Sequence, residues 1–203
     1  MKLDKPKIIL LHPGKTGGTS IEHTLKDKYL GHDFKLDSRK ADRNIMFGLD
    51  RELHLYLQHA DLRVYDHLNI DYTPYTTITT IRRPYERILS CYYYNGKSTK
   101  HTFEDFITNY LSQCHIHNHH MSTSHFSSQY PYTSHNSYKV NYIIQLENFN
   151  QDCAKAGLDV TYHYSQTAAT KDLKSYMDLY NQRTKDVVYN LYKEDFKTFG
   201  YKR

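Results

Sequence analysis

The chain has 203 residues, with 27 Lys and Arg against 22 Asp and Glu, a formal net charge of +5 at pH 7. That length suits one α/β domain with a sizeable core, so a single domain over residues 1–203 is expected. The charge excess is small and scattered, which speaks against a dedicated nucleic-acid surface and for a site that takes anionic ligands, an acidic sugar among them. An apolar run predicts a first strand over residues 7–11, and Ile21, Leu25 and Tyr29, at fourfold spacing, predict a helix over 19–30. Residues 31–49 are polar and irregular; 50–59 read as helical with Leu53 and Leu57 inward, and 62–65 as a short strand. A loop over 66–74 leads to a β-branched strand at 75–81, and Pro84 suits the first turn of a helix after it. Thr102-Phe103-Glu104-Asp105 looks like a capped start for a helix with the apolar stripe Phe103, Phe106, Ile107, Tyr110 and Leu111. Residues 112–139, rich in His, Ser, Asn and Tyr, read as a substrate or lid loop. A strand at 142–146 follows, and a last helix over 183–199 buries Val188, Leu191, Tyr192 and Phe199 before Gly200 ends it. Strands alternating with helices imply a three-layer α/β fold, a central parallel sheet flanked by helices, and the loop after the first strand makes the expected fold P-loop-like.

Two segments carry chemistry. His12-Pro13-Gly14-Lys15-Thr16-Gly17-Gly18-Thr19-Ser20 joins the first strand to the first helix. A glycine-bearing loop that opens a helix aims backbone N–H groups and the positive end of the helix dipole at a phosphate. Gly14-Lys15-Thr16 resembles the end of a Walker A loop, but that motif needs a glycine five positions earlier, where Ile9 stands inside the strand. The second segment, Arg82-Arg83-Pro84-Tyr85-Glu86-Arg87-Ile88-Leu89-Ser90-Cys91-Tyr92, puts Arg82 at a strand end and Ser90 about two helical turns on. A guanidinium and a hydroxyl can then meet on one phosphate.

In this order the two segments resemble those of the sulfotransferase superfamily, most closely its carbohydrate branch of the heparan and chondroitin type. The family's Pro-Lys-Thr-Gly-Gly-Thr-Ser loop is matched by Lys15 to Ser20, with Gly14 inserted after Pro13; its Arg-x-Pro-x-x-Arg-x-x-Ser-x-Tyr segment is matched by Arg82, Pro84, Arg87, Ser90 and Tyr92. Leu146-Glu147-Asn148 and the stretch from Leu191 to Tyr201 echo its later elements. The resemblance implies 3′-phosphoadenosine 5′-phosphosulfate (PAPS) as sulfate donor and no metal. Lys15, Thr16, Gly17, Gly18, Thr19 and Ser20 would hold its 5′-phosphosulfate, and Arg82 and Ser90 its 3′-phosphate, with Lys171 within reach of the nucleotide. Lys15 would also stabilise the charge that spreads during transfer. The acceptor is expected to be a carbohydrate hydroxyl.

Such an acceptor calls for a base, and histidine has the right unperturbed pKa. His67, after the expected short strand, is the first candidate; His54 is the alternative, and Glu22 a weaker one. His125 and Gln129 resemble a His-x-x-x-Gln pattern near the acceptor in some relatives, whereas His163-Tyr164-Ser165 has serine where the family often has asparagine. The tract from Cys114 to His120 lacks a complete zinc spacing, so no metal is assigned to it. Cys91, Cys114 and Cys153 form no evident disulfide framework. The apolar run near the start is too short for a signal sequence or span. A soluble cytoplasmic protein without a membrane partner is therefore expected, or a Golgi-lumen enzyme trimmed of its anchor; oligomeric state is left open. A P-loop nucleotide kinase and a non-catalytic nucleotide-binding relative are the alternatives.

Overall fold

The computed structural model describes residues 1–116, 125–160 and 177–203. A four-stranded sheet is ordered β1 (Lys2–Leu3), β2 (Ile8–Leu11), β5 (Thr76–Ile81) and β8 (Tyr142–Gln145). The last three run parallel, with Leu10 beside Ile78 and Thr80 beside Ile144, while β1 pairs antiparallel at the edge. The sheet is therefore mixed, with the expected parallel centre.

Alternation along the strands sends side chains to two faces. Leu10, Ile78 and Ile144 pack with Ile21 and Leu25 of α1 (Gly18–Tyr29) and with Phe149 and Cys153 of a helix near the carboxyl half, Phe149–Lys155. Ile9 and Leu11 face the other way, onto Leu57, Tyr132 and the Leu62 and Tyr65 side chains of α2 (Leu62–His67). A third cluster joins α3 (Pro84–Tyr93) to Phe103, Phe106, Ile107 and Leu111 and to Val188, Tyr192 and Phe196 near the end of the chain. Helices thus lie on both faces, as the strand–helix alternation implies.

Several expectations give way. Residues 50–59 are not a helix: β3 (Leu49–Asp50) and β4 (Leu55–Tyr56) pair as a hairpin, followed by a 3₁₀ turn over Leu57–His59. The Asp50 carboxylate accepts the N–H groups of Glu52 and Leu53, at 3.0 and 3.1 Å, and so offers the backbone an alternative to helical bonding. Residues 62–65 are not a strand but most of α2. Asp61 caps it by accepting the Arg63 N–H at 2.9 Å, a start signal that outweighs the short apolar run.

The helix from Thr102 comprises α4 (Phe103–Asp105), a π-helical stretch at Phe106–Leu111 and α5 (Ser112–Ile116), so the expected loop at 112–139 begins as helix. Its described later part is packed rather than loose: Phe126, Ser127, Gln129, Tyr132 and Thr133 are buried, and β6 (Ser134–His135) pairs with β7 (Tyr138–Lys139). With Phe149–Lys155 as α6, the last expected helix divides into α7 (Gln182–Leu191) and α8 (Lys193–Phe199). The break is at Tyr192, whose hydroxyl donates to the Phe126 carbonyl at 2.6 Å.

Candidate active site

The loop after β2 and the start of α3 after β5 emerge side by side at the carboxyl ends of adjacent parallel strands, the edge where α/β sheets bind ligands. Lys15 takes a left-handed backbone (φ 68°), and so does Gly17 (φ 88°), the residue that caps α1. Left-handed residues alternating with right-handed ones curl backbone N–H groups into an anion-binding concavity. The Thr16 hydroxyl is buried, donates to the Pro13 carbonyl at 2.6 Å and lies 2.6 Å from the Thr80 hydroxyl on β5. That side chain fastens the loop to the sheet. Thr19 is exposed on the first turn of α1, and Ser20 is buried.

Arg82 is buried at the end of β5. Its own backbone is gripped by Gln129: the Arg82 N–H donates to Gln129 Oε1 at 2.7 Å, and Gln129 Nε2 donates to the Arg82 carbonyl at 2.9 Å. Gln129 is held in turn by Asp195 of α8, whose carboxylate accepts the backbone N–H groups of Gln129 and Tyr130 and the Gln129 amide at 3.3 Å. Burial raises the Asp195 carboxyl, opposed by Arg87 and these donors. The residue matched to an acceptor-side pattern is therefore committed, fully buried, to positioning Arg82.

The Arg82 Nε, by contrast, is buried without a hydrogen-bond partner; the Glu86 carboxylate stands 3.9 Å away. Burial lowers the Lys15 ammonium, with Cys91 acting to raise it and Arg82 to lower it further. Two cations sharing a poorly hydrated space, one with an orphaned donor, fit a multiply charged anion. Ser90 is half-buried two turns along α3.

The second arginine of the segment has a different task. Arg87 has no exposed surface, and its guanidinium donates to three carbonyls: Gly14 at 3.0 Å, His125 at 2.9 Å and Ser127 at 2.7 Å. It ties α3 to the Lys15 loop and to residues 125–127.

Three histidines gather beside this loop. His59 Nδ1 lies 2.8 Å from the His12 carbonyl, and His59 Nε2 lies 3.2 Å from His125 Nε2. The His12 and His59 rings meet edge to face at 5.0 Å, and His59 and His125 at 4.8 Å. Tyr94 links the cluster to Lys15: its ring sits 4.8 Å from that of His125, and the Lys15 ammonium lies 4.2 Å from its centroid. Behind His12, the Glu22 carboxylate is buried 4.0 Å from His12 Nδ1, too far for a hydrogen bond. Burial acts to raise Glu22, yet His12, the chain's terminal ammonium and His59 hold it below the usual carboxylate range. Burial lowers His59 to about 4, helped by His12; burial, His59 and Lys15 lower His125 to about 2.

Neither expected base is grouped with Lys15. His67 is exposed at the end of α2, where the chain turns toward the amino end of β5, because the segment before it is helix and not strand. His54 is exposed in the turn of the β3–β4 hairpin, with a left-handed backbone (φ 53°). His59 and Tyr94 were not singled out in the sequence. The traces of the cluster there are His125 itself, which the resemblance puts near the acceptor, and the loop glycines: a Cβ on Gly18 would strike the His12 ring, and one on Gly14 would lie 2.9 Å from the His125 Cα. Lys171, His163 and residues 117–124 lie outside the described residues. Among the described residues no group of three or more His, Cys, Asp or Glu side chains could hold a metal ion, and no helix is long and apolar enough to cross a membrane.

A strand, a loop curled by left-handed residues and a helix at the carboxyl edge of a sheet with a parallel centre define a P-loop-like α/β protein. Within that class the chain belongs to the sulfotransferase family, whose sequence model matches residues 2–202. Comparison with curated proteins and with solved structures returned no match.

Proposed function

We propose that this chain transfers a sulfuryl group from PAPS to a hydroxyl of a carbohydrate acceptor. The observation that carries the donor half is the pairing of Lys15 with Arg82, two cations largely withdrawn from water at the ends of neighbouring strands, one with its Nε unpartnered. The curled backbone from Lys15 to Ser20 would receive the 5′-phosphosulfate, and Arg82 with Ser90 the 3′-phosphate. That second group is what separates this donor from ATP. When bound, PAPS supplies a sulfuryl group whose sulfur gains a bond to the acceptor oxygen as its bond to the 5′-phosphate oxygen breaks, the electron pair leaving with the phosphate. Lys15 offers its ammonium where that negative charge gathers.

The histidine cluster supplies the base. The His59 and His125 imidazoles are held neutral, each by burial first and then by the positive charge around it, so these two rings have lone pairs at pH 7. A carbohydrate acceptor rests on the resemblance to the carbohydrate branch and on the net charge of +5, which suits an acidic sugar. Titration calorimetry in EDTA tests the donor half. 3′-Phosphoadenosine 5′-phosphate (PAP) should bind at micromolar concentration, ATP far more weakly, and Arg82→Ala should lose the difference. A metal-dependent preference for ATP would refute the reading. Transfer of labelled sulfate from PAPS to a panel of acidic and neutral glycans then tests the acceptor half; Lys15→Ala should abolish that transfer.

A further inference from the structure

The hydrogen bonds of the histidine cluster settle which nitrogen of each ring carries its proton, assigned from the network. A carbonyl oxygen only accepts, so the 2.8 Å contact makes His59 Nδ1 a donor to His12. A neutral His59 then presents only a lone pair at Nε2. The 3.2 Å contact between the two Nε2 atoms requires one proton between them, and it must belong to His125. Both nitrogens of His59 are thereby engaged, and the one lone pair the pair leaves uncommitted is on His125 Nδ1.

We infer that His125 is the residue that takes the proton from the acceptor hydroxyl, at Nδ1, and that His59 is a positioning residue that receives the Nε2 proton of His125 in the same event. This rests on the sulfotransfer reading above. The proton balance is closed: the hydroxyl proton goes to His125 Nδ1, the His125 Nε2 proton crosses to His59 Nε2, and His125 ends neutral. His59 ends as an imidazolium whose Nδ1–H still donates to the His12 carbonyl. The positive charge therefore moves one ring away from Lys15 and toward the buried Glu22 carboxylate, which favours a charged His59. That displacement has an electrostatic reason. The groups facing His125 are His59, Lys15, His12 and Arg87, all of which disfavour a second positive charge there.

The position of His125 is itself enforced. Its carbonyl accepts from the Arg87 guanidinium at 2.9 Å and from the Cys91 thiol at 3.4 Å, its ring is flanked by His59 and Tyr94, and Gly14 leaves room for it where any Cβ would collide. Tyr94 lies between His125 and the Lys15 ammonium, so base and charge-stabilising cation are one aromatic ring apart.

Histidine nitrogen NMR of the full chain at pH 7, free and with PAP, tests the pair without any acceptor. The expected spectrum shows His59 protonated at Nδ1 and His125 at Nε2; His125 protonated at Nδ1, or His59 at Nε2, overturns the assignment. Kinetics test the chemistry, with PAPS as donor and water as the acceptor hydroxyl. His125→Gln, which keeps a donor toward His59 but no base, should lower kcat by about 10²-fold or more. His59→Asn, which keeps the donor to His12, should cost about tenfold and move the acidic limb of the kcat–pH profile. PAP affinity should change in neither, which separates both losses from misfolding. A larger loss in His59→Asn than in His125→Gln would make His59 the direct base and overturn the proposal. Failure of the wild type to bind PAP removes the donor reading and this proposal with it, whereas matching tautomers would still leave the pair intact.

Discussion

Replacing Arg87 with lysine keeps the charge and most of the length, yet it should be among the most damaging conservative changes in the chain. The guanidinium is fully buried and makes three bonds in a fork, to the carbonyls of Gly14, His125 and Ser127. A single ammonium cannot stand in for both Nε and Nη2, so it gives up at least the Gly14 bond or the two to His125 and Ser127. Hydrogen bonds to charged groups contribute about 1.5–3 kcal/mol each, and an abandoned carbonyl stays buried. The loss is therefore about 1.5 kcal/mol at the low end, a sizeable part of the 5–15 kcal/mol typical of a domain. Urea unfolding of Arg87→Lys beside the wild type reads it directly. With a slope of about 2 kcal/mol/M, the midpoint should fall by about 0.75 M or more. A fall of less than about 0.3 M would refute the view that Arg87 joins α3, the Lys15 loop and residues 125–127.

Gly14→Ala should destabilise by about 1–3 kcal/mol, because its Cβ would lie 2.9 Å from the His125 Cα, a backbone atom that cannot swing aside. Thermal unfolding should show a loss of about 2 °C or more, and an unchanged midpoint would mean that the loop and His125 do not meet as described. Acid should weaken the fold through His59. Its folded value of about 4 lies below the ordinary 6.5, so between those pH values the unfolded chain binds the proton and the native one does not. The stabilisation is complete above pH 6.5 and is lost as pH falls toward 4, up to about 3 kcal/mol. His59→Asn should flatten that part of a stability–pH curve measured by urea unfolding; an unaltered slope would deny His59 its buried neutral state.

What could be read in the sequence was local. Lys15, Gly17 and Arg82 announce themselves because strand, loop and helix follow one another within about a dozen residues, and their roles need only that order. The three parallel strands and α1 were legible for the same reason. The histidine cluster was not, because His59 and His125 are 66 positions apart and meet only after residues 125–133 fold against α2 and α8. Gln129 misled because its spacing from His125 invites a shared role. The two side chains in fact diverge, one toward His59 and the other toward Arg82 and Asp195. The expected place of His67 followed from a single missed cap. Once Asp61 starts a helix, His67 is carried away from the carboxyl edge of the sheet and His59, just before the cap, remains beside it.

The glycines of the loop then acquire a second meaning. Read as a phosphate loop, their purpose is to let the backbone approach an anion, and Gly17, left-handed at the head of α1, answers that description. Gly14 and Gly18 do not need a left-handed backbone; they are small because imidazoles occupy the space a side chain would take, His125 against Gly14 and His12 against Gly18. Gly14 is the residue inserted relative to the family's loop. The insertion lets His125 rest on the same loop that presents Lys15, so that the proposed base and the proposed charge-stabilising cation are referenced to one piece of backbone. Arg87 closes that arrangement by binding the carbonyls of Gly14 and His125 with one guanidinium. A shift of the loop would move both groups together and keep their spacing, the quantity to which a proton transfer and a developing negative charge are both sensitive.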